Sequence, residues 1–290
     1  MDQKKPDFFI VGAAKSGTTS LYEYLKQHPE IYFPERKEPH FFGNMKPGGE
    51  HVNNESDYLK LFEDAPENTV IGEASTSYLY SSDAAYNIQK FNRDAKIIIM
   101  LRNPVDRAYS MYRHQVRNGA ENLSFEEGLK AENERILNDW KYGFHYFAGG
   151  EYSWQIENYY KIFGQNNVKV FLFDDFKEFP NAILLDILNF LNVNGNVSIS
   201  TEKVHNISNK PKNLKLNLLL NQRHPLKEIL KKIIPKTHRK RIKKYLTSKN
   251  MSKNYDRMNE ETRNYLVSEY RNEINNLERV LNRDLSMWRK

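Results

Sequence analysis

The run KIIIML at positions 96–101 admits few folds. It is continuous, β-branched and free of polar alternation, so as a strand it must be covered on both faces. That is the environment of a parallel sheet rather than a solvent-facing antiparallel one. Two further runs have the same character: FFIV at 8–11 and NVKVFLFDDF at 167–176, read as strands, with a shorter one opening TVIGEASTSYLYS. Helical patterns separate them. Leu21, Tyr24 and Leu25 fall at helical spacing within 18–27, and AILLDILNFLNV reads as an amphipathic helix. Asn103 is placed as an N-cap with Pro104 in the first helical position and Gly119 at the stop, and SFEE at 124–127 is a capping box. Strands alternating with helices predict an α/β fold, a mostly parallel sheet flanked by helices in a single domain over 1–290. Residues 28–42 carry three prolines and read as loop with one short strand; after residue 200 no strand is evident.

Composition narrows the chemistry. The chain of 290 residues has no cysteine, which excludes disulfides, cysteine–zinc sites and a thiol nucleophile. No apolar run approaches the ~20 residues of a membrane-spanning helix, so a soluble cytoplasmic protein is expected, with a truncated membrane-anchored enzyme as the other possibility. The net charge of +7 is local: residues 223–249 hold eleven Lys/Arg against one Glu, a segment of +10 that leaves the rest of the chain at −3. This basic helical segment, 222–250 within the domain, suits either an acidic polymer or membrane surface, or a pair of surface helices broken at Pro235.

The first strand runs into GAAKSGTTSL (12–21), a loop that then opens a helix. Such a loop turns backbone N–H groups and the positive end of the helix dipole toward an anion. Gly12 and Gly17 let the backbone bend, Thr18, Thr19 and Ser20 add hydroxyls, and Lys15 adds a charge inside the loop. The nucleotide-hydrolase pattern would place that lysine directly after Gly17. A phosphate or a sulfate, with the same tetrahedral shape, fits this donor set. The strand KIIIML ends on Arg102, which suits a second phosphate; Ser110 lies two helical turns further on and reaches the same anion only if the chain between is partly non-helical or the ligand runs alongside the helix. Asp174 and Asp175 keep a magnesium-using P-loop kinase or NTPase open, and the basic segment keeps a non-catalytic polyanion-binding protein open.

The motifs GAAKSGTTSL, KEPHFF and MLRNPVDRAYSMY together resemble the sulfotransferases that use 3′-phosphoadenosine 5′-phosphosulfate, in particular the heparan-sulfate-type branch and its bacterial relatives. NRDLSMW near the end matches a common C-terminal pattern. The resemblance implies a P-loop-like fold and the transfer of a sulfuryl group to a hydroxyl or amine, without metal, on an acceptor that is a carbohydrate or glycan or is lipid-linked. It implies neither a nucleic-acid partner nor stable membrane insertion. By match, Lys15, Ser16, Gly17, Thr18, Thr19 and Ser20 hold the 5′-phosphosulfate, and Arg102 and Ser110 hold the 3′-phosphate. Lys210 and Lys212 are further basic contacts. Lys15 is also catalytic, serving the leaving group. Glu38 is the expected general base, with His40 second. Glycosaminoglycan-type members tend to carry a lysine after the glutamate of the segment like GEASTSYLY; here Glu73 is followed by Ala74. Tyr152 and Trp154 are read as core, or as groups that stack on the adenine or shape the acceptor site.

Overall fold

The computed structural model describes residues 3–45, 51–202 and 257–290, with short stretches between 210 and 252. Five parallel strands form the central sheet: β1 (Phe8–Gly12), β2 (Ile31–Tyr32), β3 (Val70–Ala74), β4 (Lys96–Leu101) and β5 (Val168–Leu172), in the order β2-β3-β1-β4-β5. β1 lies between β3 and β4, with Phe8 opposite both Gly72 and Lys96. The alternation of side chains along each strand feeds two cores. Phe8, Ile10, Ile98 and Met100 pack on one face with Leu21 and Leu25 of α1 (Thr18–Leu25). Phe9, Val11, Ile97 and Ile99 pack on the other with Val105, Ala108 and Met111 of a second helix, Pro104–Arg117. The isoleucine run is fully buried, as a strand covered on both faces requires.

Between α1 and that helix the chain forms α2 (Glu55–Leu59) and α3 (Ala84–Phe91), so Pro104–Arg117 is α4. Asn103 caps it, its side chain accepting from the Val105 N–H at 3.0 Å. The Ser124–Glu127 capping box is present at the start of α5 (Phe125–Lys130), followed by α6 (Glu132–Leu137) and α7 (Tyr152–Phe163). Adjacent strands β1 and β4 thus send their helices to opposite faces of the sheet. Their carboxyl ends lie at the switch point of the strand order, the crevice where sheets of this kind usually take a ligand.

Two expectations are corrected. The strand expected over 167–176 stops at Leu172, and Phe173–Glu178 is a helix, α8, followed by α9 (Pro180–Leu191). Asp174 and Asp175 fall in the first turn of α8, where carboxylates are compatible with the helix dipole. Strand is also present after residue 200: β6 (Lys210–Pro211) pairs antiparallel with β7 (Met251–Ser252), and β6 lies against α4. Two terminal helices, α10 (Glu260–Glu269) and α11 (Arg271–Leu281), close the chain; Leu266, Ile274 and Trp288 complete the second core. Most of the basic segment 222–250 lies outside the described residues. No described helix is long and apolar enough to cross a membrane.

Candidate active site

The loop between β1 and α1 is built around Gly17. Its φ of 86° is left-handed, and a Cβ there would meet the Phe173 ring at 2.6 Å. Only glycine meets both demands. Gly17 brings no side chain to cap α1, and a helix start without a side-chain cap favours an anion. Lys15 also has positive φ, 72°, a strained placement for a side chain with a Cβ.

Arg102 leaves the end of β4 toward this loop. Its Nη1 donates to the Lys15 carbonyl at 3.3 Å, and its guanidinium lies 5.2 Å from the centroid of the Phe173 ring. Phe173 therefore seats both the glycine turn and the arginine. The Tyr152 hydroxyl donates to the Arg102 carbonyl at 3.0 Å; Tyr152 is fully buried and belongs to the core, whereas Trp154 is exposed and lies near Tyr80. α4 is continuous from Pro104 to Arg117, so Ser110 stays two turns beyond Arg102 and the same ligand reaches it only by lying along the helix.

Glu38 and His40 arrive from the opposite side of the crevice, on a segment with two left-handed residues: φ is 60° at Glu38 and 53° at His40. The chain after β3 imposes this shape. The Glu38 N–H donates to the Ala74 carbonyl at 3.1 Å and the His40 N–H to Ser75 Oγ at 3.1 Å. The Phe41 N–H donates to the Tyr78 hydroxyl at 2.9 Å, and that hydroxyl donates in turn to Glu73 Oε2 at 2.8 Å. Glu73 is buried, and burial pushes its carboxyl up to about 7 against hydrogen bonds from Ser75, Tyr78 and Tyr58 and the charge of His40. It is a support beneath the segment rather than a group facing the crevice.

The Glu38 side chain is about one-third exposed, at 35%. Thr76 Oγ1 donates to its Oε1 at 3.2 Å, Lys37 Nζ is 3.8 Å from Oε1, and His40 Nε2 is 3.6 Å from Oε2. Desolvation opposes ionisation, but His40, Lys37 and Thr76 outweigh it and hold the carboxyl below its ordinary value. The other His40 nitrogen is 2.6 Å from Ser77 Oγ. Lys37 Nζ donates to Thr19 Oγ1 at 2.8 Å, which ties the carboxylate segment to the first turn of α1.

The cations report one another's presence. Burial pushes Lys15 down to about 8, helped by the charges of Arg117, Arg102 and Lys37 and opposed by Glu38. His114 is driven to about 3 by burial and by Lys15 and Arg117, so it is a neutral imidazole. Arg117 Nη2 donates to its Nδ1 at 2.9 Å. An arginine only donates, so Nδ1 accepts; Asn118 Nδ2 lies 3.0 Å from Nε2.

The structure thus brings Lys15, Thr19, Glu38, His40 and Arg102 around one crevice, with Ser16, Gly17, Thr18 and Ser20 in the same loop and first turn. Lys37, His114, Arg117 and Phe173 were not read from the sequence as site residues. Ser110, His114 and Arg117 are spaced by four and three, the spacing of one helix face, and that signal was available. Lys210 contributes backbone to β6; Lys212 lies outside the described residues. Asp174 and Asp175 are engaged elsewhere: Asp174 Oδ2 accepts from the Trp288 indole N–H at 2.9 Å, and Asp175 pairs with Arg283 at 2.7 Å.

Residues 5–276 match the family model described as Sulfotransferase domain. The crystal structure of a sulfotransferase from Alicyclobacillus acidocaldarius superposes with a TM-score of 0.78 at 33% identity, covering 99% of this chain and 100% of that one. Membrane-associated sulfotransferase kil1 of Dictyostelium discoideum is 35% identical over 115 residues, 39% of this chain and 23% of that protein. Human carbohydrate sulfotransferase 15 is 33% identical over 149 residues, 37% of this chain and 27% of that protein. The chain therefore spans about a quarter of the length of these curated relatives. With the family match running over most of its length and a five-stranded parallel sheet that superposes on a solved sulfotransferase, the chain belongs to the sulfotransferase family.

Proposed function

We propose that this protein transfers a sulfuryl group from 3′-phosphoadenosine 5′-phosphosulfate to a hydroxyl or amine of a carbohydrate or glycan acceptor. The observation that carries the reading is the bond from Arg102 to the Lys15 carbonyl, which joins the two anion motifs in one crevice. The donor set fits such a ligand. An uncapped helix start with Lys15 suits one anionic end, and Arg102 with Ser110 suits the other. Four cations, Lys15, Lys37, Arg102 and Arg117, gather there around Glu38, with Glu23 beside Lys37. The names of the curated relatives, carbohydrate and heparan sulfate sulfotransferases, support the acceptor class.

When bound, the donor supplies a sulfuryl group already activated by its phosphosulfate anhydride. The protein's part is positioning and charge stabilisation. The N–H groups and hydroxyls of Thr18, Thr19 and Ser20 hold the 5′-phosphate. Lys15 neutralises charge that builds at the leaving oxygen, which accounts for a lysine inside the loop rather than after Gly17. Arg102 and Ser110 take the 3′-phosphate. Glu38, held ionised, accepts the acceptor proton on its carboxylate. Asp174 and Asp175, paired with Trp288 and Arg283, lend no support to the kinase alternative.

A thermal-shift comparison tests the reading. Adenosine 3′,5′-bisphosphate at a hundred times its Kd is expected to stabilise the protein by about 2.7 kcal/mol, with ATP–Mg²⁺ giving less. A larger shift with ATP–Mg²⁺ than with the bisphosphate would reverse the assignment.

A further inference from the structure

Lys37 belongs to neither anion motif, yet it touches both sides of the crevice. Its ammonium donates to Thr19 Oγ1 at 2.8 Å, stands 3.8 Å from Glu38 Oε1 and lies 5.5 Å from the centroid of the Tyr22 ring. The side chain is only 22% exposed. A surface ion pair swings freely and contributes little; this one is fixed by three partners drawn from two segments of chain.

We propose that Lys37 is a positioning residue that couples the donor-binding loop to the acceptor-side carboxylate, orienting the Thr19 hydroxyl toward a nucleotide phosphate while holding Glu38 in place. The inference rests on the function proposed above. An ammonium has three donors and no acceptor. Thr19 Oγ1 must therefore accept from Lys37, and its own hydrogen is left to point to another acceptor. Thr19 sits in the first turn of α1, beside the uncapped N–H groups, so an anion held there is the acceptor within reach. A hydroxyl that accepts from a cation is also the stronger donor, because hydrogen bonds in a chain polarise one another. At its other contact the same ammonium opposes protonation of Glu38. The remaining titratable and charged groups around that carboxylate are His40 on its own segment, Lys15 in the loop, His114 on α4 and Tyr142. Glu23 of α1 faces Lys37. A single side chain thus links nucleotide grip to the state of the base.

The test uses the full chain, adenosine 3′,5′-bisphosphate as the probe, and ¹³C-carboxyl-labelled glutamate, with the Glu38 resonance assigned by its loss in Glu38→Gln. Lys37→Met is expected to weaken calorimetric binding about tenfold, the scale of one charge-assisted hydrogen bond, and to raise the Glu38 titration midpoint. Lys37→Arg keeps both near wild type, which separates the loss of charge from a general loss of packing. Thr19→Val is expected to lose a similar affinity, and the double variant no more than either alone, because both remove the same link. If wild type binds the probe while Lys37→Met leaves both affinity and midpoint unchanged, the coupling role is wrong and the site assignment stands. If wild type itself does not bind, the site assignment fails and takes the coupling with it.

Discussion

Glu38→Gln is expected to lower turnover at least ~100-fold, the low end of what a positioned general base contributes. The substitution keeps size, and its amide can still accept from Thr76, so nucleotide affinity and thermal stability should change little. What is lost is the carboxylate that takes the acceptor proton. Glu38 suits this role by position: it is partly exposed at the crevice, whereas the other acidic group nearby, Glu73, is buried under Tyr58 and Tyr78. His40 stands behind the carboxylate, one nitrogen 2.6 Å from Ser77 Oγ and the other 3.6 Å from Glu38. The pH dependence has a definite sign. Because the Glu38 carboxyl lies below its ordinary value of 4.5, the base is ionised throughout the neutral range. On the acid side, turnover should fall as pH drops through that depressed value. A steady-state pH profile with Glu38→Gln as control checks this; near wild-type turnover in the variant would remove Glu38 from the base role.

Lys15→Met is expected to reduce turnover at least ~100-fold as well, as removal of one preorganised donor at a site of developing charge does elsewhere. It should also weaken nucleotide binding, since the same ammonium meets the anion in the ground state. In the free protein burial and neighbouring cations push Lys15 down to about 8. A bound polyanion favours the charged form and raises the value again. Binding near pH 8.5 should therefore take up protons, and affinity should fall as pH rises above about 8. Calorimetry in buffers of different ionisation enthalpy reads the uptake directly. In Lys15→Met the uptake should vanish; its persistence at wild-type level would place the titrating group elsewhere.

The frame of this fold was legible because its signals are local. Three consecutive isoleucines fix β4, Asn103–Pro104 fixes the start of α4, and Ser124 with Glu127 fixes the start of α5. The stretch FLFDDF was not, because an apolar run that ends in carboxylates satisfies a strand and a helix start alike; packing of Phe173 against Gly17 and Arg102 decides for helix. The pairing of Lys210–Pro211 with Met251–Ser252 is two residues long and joins positions about forty apart, which leaves no periodic trace. The site divides in the same way. Lys15, Gly17 and Arg102 stand out at the ends of strands. The left-handed turns that present Glu38 and His40 are imposed by Ala74, Ser75 and Tyr78, more than thirty residues away. Lys37 adjoins Glu38 in sequence, but its value as a link to Thr19 exists only once α1 is packed beside it.

The proposed reaction requires one nucleotide to be held by both of its anionic ends, and affinity for adenosine 3′,5′-bisphosphate relative to adenosine 5′-phosphate measures this most directly. Wild type is expected to prefer the bisphosphate by about ten- to a hundredfold, the range of a charge-assisted contact to the 3′-phosphate. Arg102→Ala should erase that preference while leaving affinity for the monophosphate nearly unchanged. A preference that survives Arg102→Ala, or is absent from wild type, would contradict it.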